Sequence, residues 1–130
     1  MTEIKIAAAA LMRADGATLL VRKRGTTAFM QPGGKIDAGE TPLTALCREL
    51  KEELGLEIKP EEPVYLGCFS APAANETGAT VTAEIFQINT DSAIQVQAEI
   101  EDARWVLADS ALELELAPLT RDHILPLIWK

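Results

Sequence analysis

Cysteine, histidine and positive charge are all scarce in this chain of 130 residues. The two cysteines, Cys47 and Cys68, are too few for a disulfide framework and lack the spacing of a metal finger, so reduced thiols of a cytoplasmic protein are expected. The one histidine, His123, falls in the C-terminal segment and reads as surface or packing. Twelve Lys and Arg stand against 20 Asp and Glu, leaving a net charge of −8 and a pI near 4.6. Such a balance excludes a nonspecific nucleic-acid binder, which needs net positive charge to displace counterions from phosphates. A polyphosphate ligand stays open only if the few cations cluster. Long apolar runs are missing as well: Ala7 to Met12 is too short to span a bilayer, and no basic region or cleavage site precedes or follows it. Neither a membrane nor an export route is expected. Repeats, linkers and low-complexity tracts are absent, so with 48% apolar and 25% charged residues the whole of 1–130 is expected to form one domain.

Two apolar runs, Ile4 to Arg13 and Ala17 to Arg24, flank Ala14-Asp15-Gly16, a turn signal that predicts an antiparallel hairpin. Gly25 to Gly39 holds four glycines and a proline and reads as a functional loop, with a short strand near Phe29 to Gln31. Thr41 as N-cap, Pro42 at the first helical position and Gly55 as stop predict a helix over Pro42 to Leu54. Leu43, Leu46, Cys47, Leu50 and Leu54 form its apolar stripe. Val64 to Ser70, Ala79 to Asn89 and Ala103 to Leu107 read as strands, and Thr120 to Lys130 as a helix that Pro126 kinks or ends.

The helix carries a physical conflict. Glu49, Glu52 and Glu53 stand at i, i+3 and i+4, so three carboxylates share one face and repel at roughly 0.2–0.5 kcal/mol per pair. They also occupy the C-terminal half, where the macrodipole disfavours anions. Two readings remain at this point. One is a solvated acidic face partly neutralised by Arg48 and Lys51. The other is a divalent cation held by hard oxygen donors, with the small Ala45 one turn earlier leaving room above them.

The neighbouring residues favour the second reading. From Gly34 the chain runs five residues to Glu40, seven more to Arg48-Glu49-Leu50, then Glu52-Glu53 and Gly55-Leu56. This resembles the Nudix box, G-x5-E-x7-R-E-U-x-E-E-x-G-U with U aliphatic, at every specified position. Average residue usage puts a chance match at about one in 10⁹ per window. The flanks are similar to the MutT-type branch too: a strand ending in basic residues, Pro32-Gly33-Gly34-Lys35, and an acidic segment before Arg104-Trp105-Val106.

The resemblance implies an α/β Nudix fold, an α/β/α sandwich around a mixed sheet, and hydrolysis of a nucleoside diphosphate linked to a further group X. It implies Mg²⁺ or Mn²⁺ as cofactor, with Glu52 and Glu53 as ligands, Glu49 as ligand or general base, and the carbonyl of Gly33 as a further donor. Arg48 and Glu40 resemble a support pair in which the arginine orients a helix carboxylate and the glutamate anchors the loop. Arg24 matches a phosphate-binding arginine, and Arg22 and Lys35 add charge nearby. An acidic residue beyond the box often joins the metal; Glu99 and Glu101 are the candidates, ahead of Asp102 and Glu84. Phe29 is either core or a platform for a base, and Asn75 either an ordinary turn residue or a polar contact for base or ribose.

X itself is open. The expected partner is a small nucleotide, first a nucleoside triphosphate and otherwise ADP-ribose, a nucleotide sugar or a dinucleoside polyphosphate; a nucleotide-binding module without turnover is the reading from another class. MutT-type enzymes that prefer oxidised guanine nucleotides have phenylalanine where this chain has Gln31, and their base-reading asparagine has no counterpart in Ala117 to Asp122. Strict preference for oxidised guanine is therefore not expected. A homodimer is compatible with the fold.

Overall fold

The computed structural model describes residues 2–111 and 113–129. Six strands form one mixed sheet: β1 (Thr2–Met12), β2 (Thr18–Lys23), β3 (Gly33–Lys35), β4 (Val64–Pro72), β5 (Ala79–Asn89) and β6 (Ile100–Val106). The order is β4-β5-β1-β2-β6, with β3 on β1 beside β2. β1 is central and buried on both faces, which its run of alanines permits. Ala7, Ala9 and Leu11 turn to one side with Leu19 and Val21 and meet Leu46, Leu50 and Leu54 of helix α1 (Pro42–Leu54). Ala8 and Ala10 turn to the other side with Ala83 and Ile85 and meet Leu119 and Ile124 of the C-terminal segment. The result is the expected α/β/α sandwich around a mixed sheet. No helix among the described residues is long and apolar enough to cross a membrane.

β1 runs parallel to β5 from Thr2 opposite Ala79 to Met12 opposite Asn89. Its other edge is shared. β3 pairs antiparallel with Ile6 to Ala8, whereas β2 pairs with β1 only at Met12 opposite Thr18 and then turns to β6. The expected hairpin is thus confined to its mouth, where Ala17 N–H donates to Asp15 Oδ1 at 3.1 Å and Gly16 adopts φ +89°. The short strand expected at Phe29 to Gln31 lies later, at Gly33–Lys35, and Phe29 and Met30 form only isolated bridges. Two glycines can pair with β1 because they bring no side chain between the strand and α1.

The ends of α1 follow the local signals. Thr44 N–H donates to the Thr41 hydroxyl at 3.1 Å, and Gly55 takes the left-handed conformation at φ +67° while its N–H closes on the carbonyls of Leu50 and Lys51. Ala45 differs from expectation: it is fully buried against the sheet and leaves no space above the carboxylates. The C-terminal helix also differs. It opens with a π-helical turn, Thr120–Ile124, before a short α-helical turn, Leu125–Ile128; Lys130, its expected end, lies outside the described residues. Pro126 explains the wide turn, since it offers no N–H to the carbonyl of Asp122 and its ring would clash there in a regular helix.

Leu50 is fully buried at the centre of the α1–sheet contact. Leu50→Ala is expected to lower unfolding free energy by about 2–5 kcal/mol, read as a fall in the urea midpoint with an unchanged slope. A loss under half a kilocalorie would show that α1 is not anchored through this side chain.

Candidate active site

α1 lies with its acidic face against β3, and the three box glutamates meet different surroundings. Glu53 is buried, with 1% of its surface exposed. Its Oε1 accepts from Gly33 N–H at 3.2 Å, and its Oε2 has no hydrogen-bond partner. Burial, reinforced by the neighbouring charge of Glu49 and offset in part by Lys23, pushes the Glu53 carboxyl up to about 7. Glu49 packs on Gly34 so closely that a Cβ on that glycine would sit 2.6 Å from both carboxylate oxygens. Glu52 is exposed on the outer flank of the cluster.

One guanidinium ties these parts together. Arg48 Nε and Nη2 donate to Glu40 Oε2 and Oε1, both at 2.8 Å, in a bidentate pair. Its Nη1 donates to Glu49 Oε1 at 2.9 Å, and its Nη2 also reaches the carbonyl of Lys35 at 3.1 Å. Glu52 stands 3.6 Å from Nη1 and Asp37 3.4 Å from Nη2. Glu40 in turn accepts from Asp37 N–H at 2.9 Å, which fixes the loop ahead of the helix. This hydrogen bonding holds the Glu40 carboxyl down at about 2 and raises Arg48. The support pair drawn from the resemblance therefore has the geometry such a role requires.

A cleft of about 220 Å³ opens on the other side of β3. Lys23, Gly33, Gly34 and Lys35 line the part that backs onto the carboxylates. Ile6, Val81 and Leu119 supply apolar walls, and Gln31, Asn75 and Thr120 bring polar groups to the lining. Lys23 also stands 3.3 Å from Glu99, whose backbone carbonyl accepts from Arg24 N–H at 2.7 Å. The charge of Glu99 makes the smallest contribution to the rise of the Glu53 carboxyl, and its side chain pairs with Lys23 of the cleft lining. Glu101 is exposed on β6.

Of the basic residues that end the strand, Arg22 and Arg24 do not line the cleft that the resemblance led us to expect them in. Arg22 turns to the opposite face of the sheet, donates to the carbonyl of Thr26 at 2.8 Å and lies 6.0 Å from the Phe29 ring. Arg24 lies beyond the end of β2, exposed and without a side-chain partner among the described residues. Lys23 is the member that lines the cleft, at the point where the register of β2 on β6 shifts between Arg22 and Lys23. Phe29 is 5% exposed and packs with Leu20, Val106 and Leu125, with Arg104 on its ring at 5.2 Å. It does not line the cleft; its surroundings are those of a core residue. Gln31 and Thr120 line it instead, and only the long-range closure of the C-terminal segment brings them together. Glu84 is engaged by the Tyr65 hydroxyl at 2.6 Å, and His123 is exposed beside Phe69.

Among the described residues no three His, Cys, Asp or Glu side chains converge into a ready-made cage. Arg48 draws Glu49 aside and Gly33 holds one oxygen of Glu53. The donor set nevertheless suits a divalent cation: hard carboxylate oxygens, a partnerless buried Oε2, and a glycine pair that lets the main chain come close.

The Arg48–Glu40 pair makes a stability statement with a definite sign. A carboxyl held at about 2 against an ordinary value of 4.5 contributes stability that is present above 4.5 and lost as pH falls through 2. Thermal melts of wild type and Glu40→Gln should differ most near neutral pH and converge towards pH 2; a gap constant across that range would show that the ionised pair is not the source.

The NUDIX domain family model matches residues 2–128. Phosphatase NudJ of Escherichia coli K12 is 27% identical over 126 residues, covering 92% of this chain and 80% of that protein. RNA pyrophosphohydrolase of Halorhodospira halophila is 52% identical over 53 residues, which span 41% of this chain and only 28% of the relative. Among solved structures, the MutT NUDIX hydrolase of Burkholderia pseudomallei superposes with a TM-score of 0.72 at 25% identity, covering 98% of this chain and 96% of its own. With the complete box on α1, its glutamates against the Gly33-Gly34 strand and a family match over nearly the whole chain, the protein belongs to the Nudix hydrolase family.

Proposed function

We propose that this Nudix hydrolase is a Mg²⁺-dependent pyrophosphohydrolase that converts a nucleoside triphosphate to the monophosphate and pyrophosphate. The observation that carries the reading is the partnerless oxygen of buried Glu53, set behind the glycine strand of a cleft lined by Lys23 and Lys35. A buried acid without a partner is costly to keep, and such groups concentrate at functional sites. Here it stands behind Gly33, on the strand whose other face the cleft shares with Lys23 and Lys35.

Glu49, Glu52 and Glu53, with the carbonyl of Gly33 and with Glu99 as the acidic residue beyond the box, would hold the ion. Bound there, Mg²⁺ supplies charge neutralisation on the phosphate oxygens and eases deprotonation of the attacking water. Arg48 keeps Glu49 in place and prevents the acidic face from splaying. Lys23 and Lys35 offset phosphate charge, and Lys35 is held through its own carbonyl by Arg48. In the reaction a water oxygen bonds to the α-phosphorus, the bond from that phosphorus to the bridging oxygen breaks, and pyrophosphate departs. The water's proton passes to a carboxylate of the α1 cluster and then to solvent.

RNA with a 5′-triphosphate belongs in the substrate panel, because one relative is an RNA pyrophosphohydrolase, beside ADP-ribose, nucleotide sugars and dinucleoside polyphosphates. Pyrophosphate release from nucleoside triphosphates with Mg²⁺ is the expected result, with ¹⁸O from labelled water appearing in the monophosphate. Glu52→Gln and Glu53→Gln should each lower kcat/KM by more than the roughly 10–100-fold typical of an outer-shell partner. Full turnover in both variants would overturn the assignment, and label found only in pyrophosphate would move the attack to the β-phosphorus.

A further inference from the structure

The segment that leads into β6 is fastened to the site at both ends, and the hydrolytic reading uses only the carboxylate of Glu99 within it. Gln95 N–H donates to the carbonyl of Leu54 at 2.9 Å, and Gln97 N–H to that of Glu53 at 2.8 Å. These amides cap the C-terminal end of α1 and grip the main chain of the same Glu53 whose side chain Gly33 holds. Ile94, just before them, packs against the core shared by α1 and the sheet. After Gln97 the chain reverses: Ile100 N–H donates to the Gln97 carbonyl at 3.2 Å and closes a tight turn over Ala98 and Glu99. From that turn the Glu99 carbonyl accepts from Arg24 N–H at 2.7 Å, its carboxylate stands 3.3 Å from Lys23 Nζ, and Ile100 pairs opposite Lys23. One short strap thus joins the acidic end of the helix to the lysine that lines the cleft.

The turn is built against the preference of its own residue. Ala98 has φ +54°, the one positive value outside glycine among the described residues. It fills the first central position of the turn, where a positive φ ordinarily calls for glycine, asparagine or aspartate. For alanine this conformation is disfavoured, because the Cβ crowds the following carbonyl oxygen. Ala98 is also exposed, so burial of its methyl group offers nothing in return. What holds it is the set of main-chain hydrogen bonds on either side. Strain of this kind survives only where the surroundings over-determine the backbone, and it concentrates at functional sites. A negative φ at this position would undo the reversal and carry Glu99 away from Lys23 and Arg24.

We infer that Ala98 is a positioning residue of the hydrolase: its left-handed turn lets the 95–99 strap hold Lys23 at a fixed place relative to Glu53, so that cation and carboxylates meet one substrate together. The inference rests on the proposed roles of Lys23 and the carboxylates and adds what sets their separation. Ala98 itself touches no substrate. It acts through Glu99, whose carbonyl fixes the end of β2 and whose carboxylate steers the Lys23 ammonium.

The test asks whether a change at Ala98 is felt through Lys23. Binding of the α,β-methylene analogues of ATP and GTP, whose bridging carbon blocks the proposed cleavage, is measured by calorimetry with Mg²⁺ in wild type, Ala98→Val, Ala98→Asn and Ala98→Gly, each with Lys23 and with Lys23→Gln. Valine resists the left-handed conformation and is expected to weaken binding about tenfold, the scale of one hydrogen bond to a charged group. Asparagine and glycine accept that conformation and should stay within about twofold of wild type. In the Lys23→Gln background the loss caused by valine should vanish, whereas damage to the fold would persist there. Hydrogen exchange should quicken at the Gln95 and Gln97 amides of Ala98→Val and stay unchanged along β1. If Ala98→Val does not fold, Gln97→Pro, which deletes the N–H donated to Glu53, takes its place with the same expectation. Wild-type affinity in Ala98→Val, or a loss that persists in Lys23→Gln, overturns the inference and leaves the hydrolase reading standing. A wild type that binds neither analogue and hydrolyses no nucleoside triphosphate overturns that reading and the inference with it.

Discussion

The guanidinium of Arg48 is the contact on which the site depends. Three glutamates on the C-terminal half of one helix, with Glu40 and Asp37 facing them from the preceding loop, would repel one another and oppose the helix dipole. Arg48 meets the problem with one rigid planar group. It pairs with both oxygens of Glu40, turns its remaining amino group to Glu49 and still reaches the carbonyl of Lys35. A lysine would offer a single point of charge and no planar fork for the bidentate pair with Glu40. Because Lys35 ends β3, the same side chain fastens the glycine strand to the helix, so the acidic cluster and the cleft lining are positioned together.

Gly33 and Gly34 make the approach of helix to strand possible. Gly33 has φ +150°, and a Cβ there would meet the backbone of Ala7 and Ala8; a Cβ on Gly34 would enter the carboxylate of Glu49. No other residue type lets these carboxylates lie directly against the main chain. The consequence is electrostatic as well as steric. Glu53 is pressed out of water with one oxygen unsatisfied, an arrangement that gives up stability and that an apolar core would not contain.

The cleft has a topological origin. β2 leaves β1 after a single paired position, and β3 takes over the same edge. The strand end carrying Lys23, the loop carrying Gln31 and the returning C-terminal turn carrying Thr120 all converge around that change of partner. Had the hairpin continued along β1, that edge would have been closed to β3 and its glycines.

What the sequence determined by itself was local or carried by spacing. The helix Pro42–Leu54 was legible at both ends because its cap, proline and stop act through bonds a few residues apart. The pairing of Glu40 with Arg48 was legible because the box spacing is specific, and their bidentate contact has the geometry that the resemblance implied. The α/β/α layering followed from the same resemblance. The tertiary structure decided what alternation and proximity cannot carry. Alternation could separate Lys23 from Arg22 but not say which face of β2 meets the cleft, and Phe29 became a core residue once Leu20, Val106 and Leu125 closed on it. Ala45, one turn before Glu49, is packed into the core between α1 and the sheet and is not open above the carboxylates. Glu99 was separated from Glu101 by the turn into β6, which leaves the former beside Lys23 and the latter exposed. The pairing of Gln31 with Thr120 was beyond local reading altogether, since it spans 89 positions and forms only where the chain returns over the sheet.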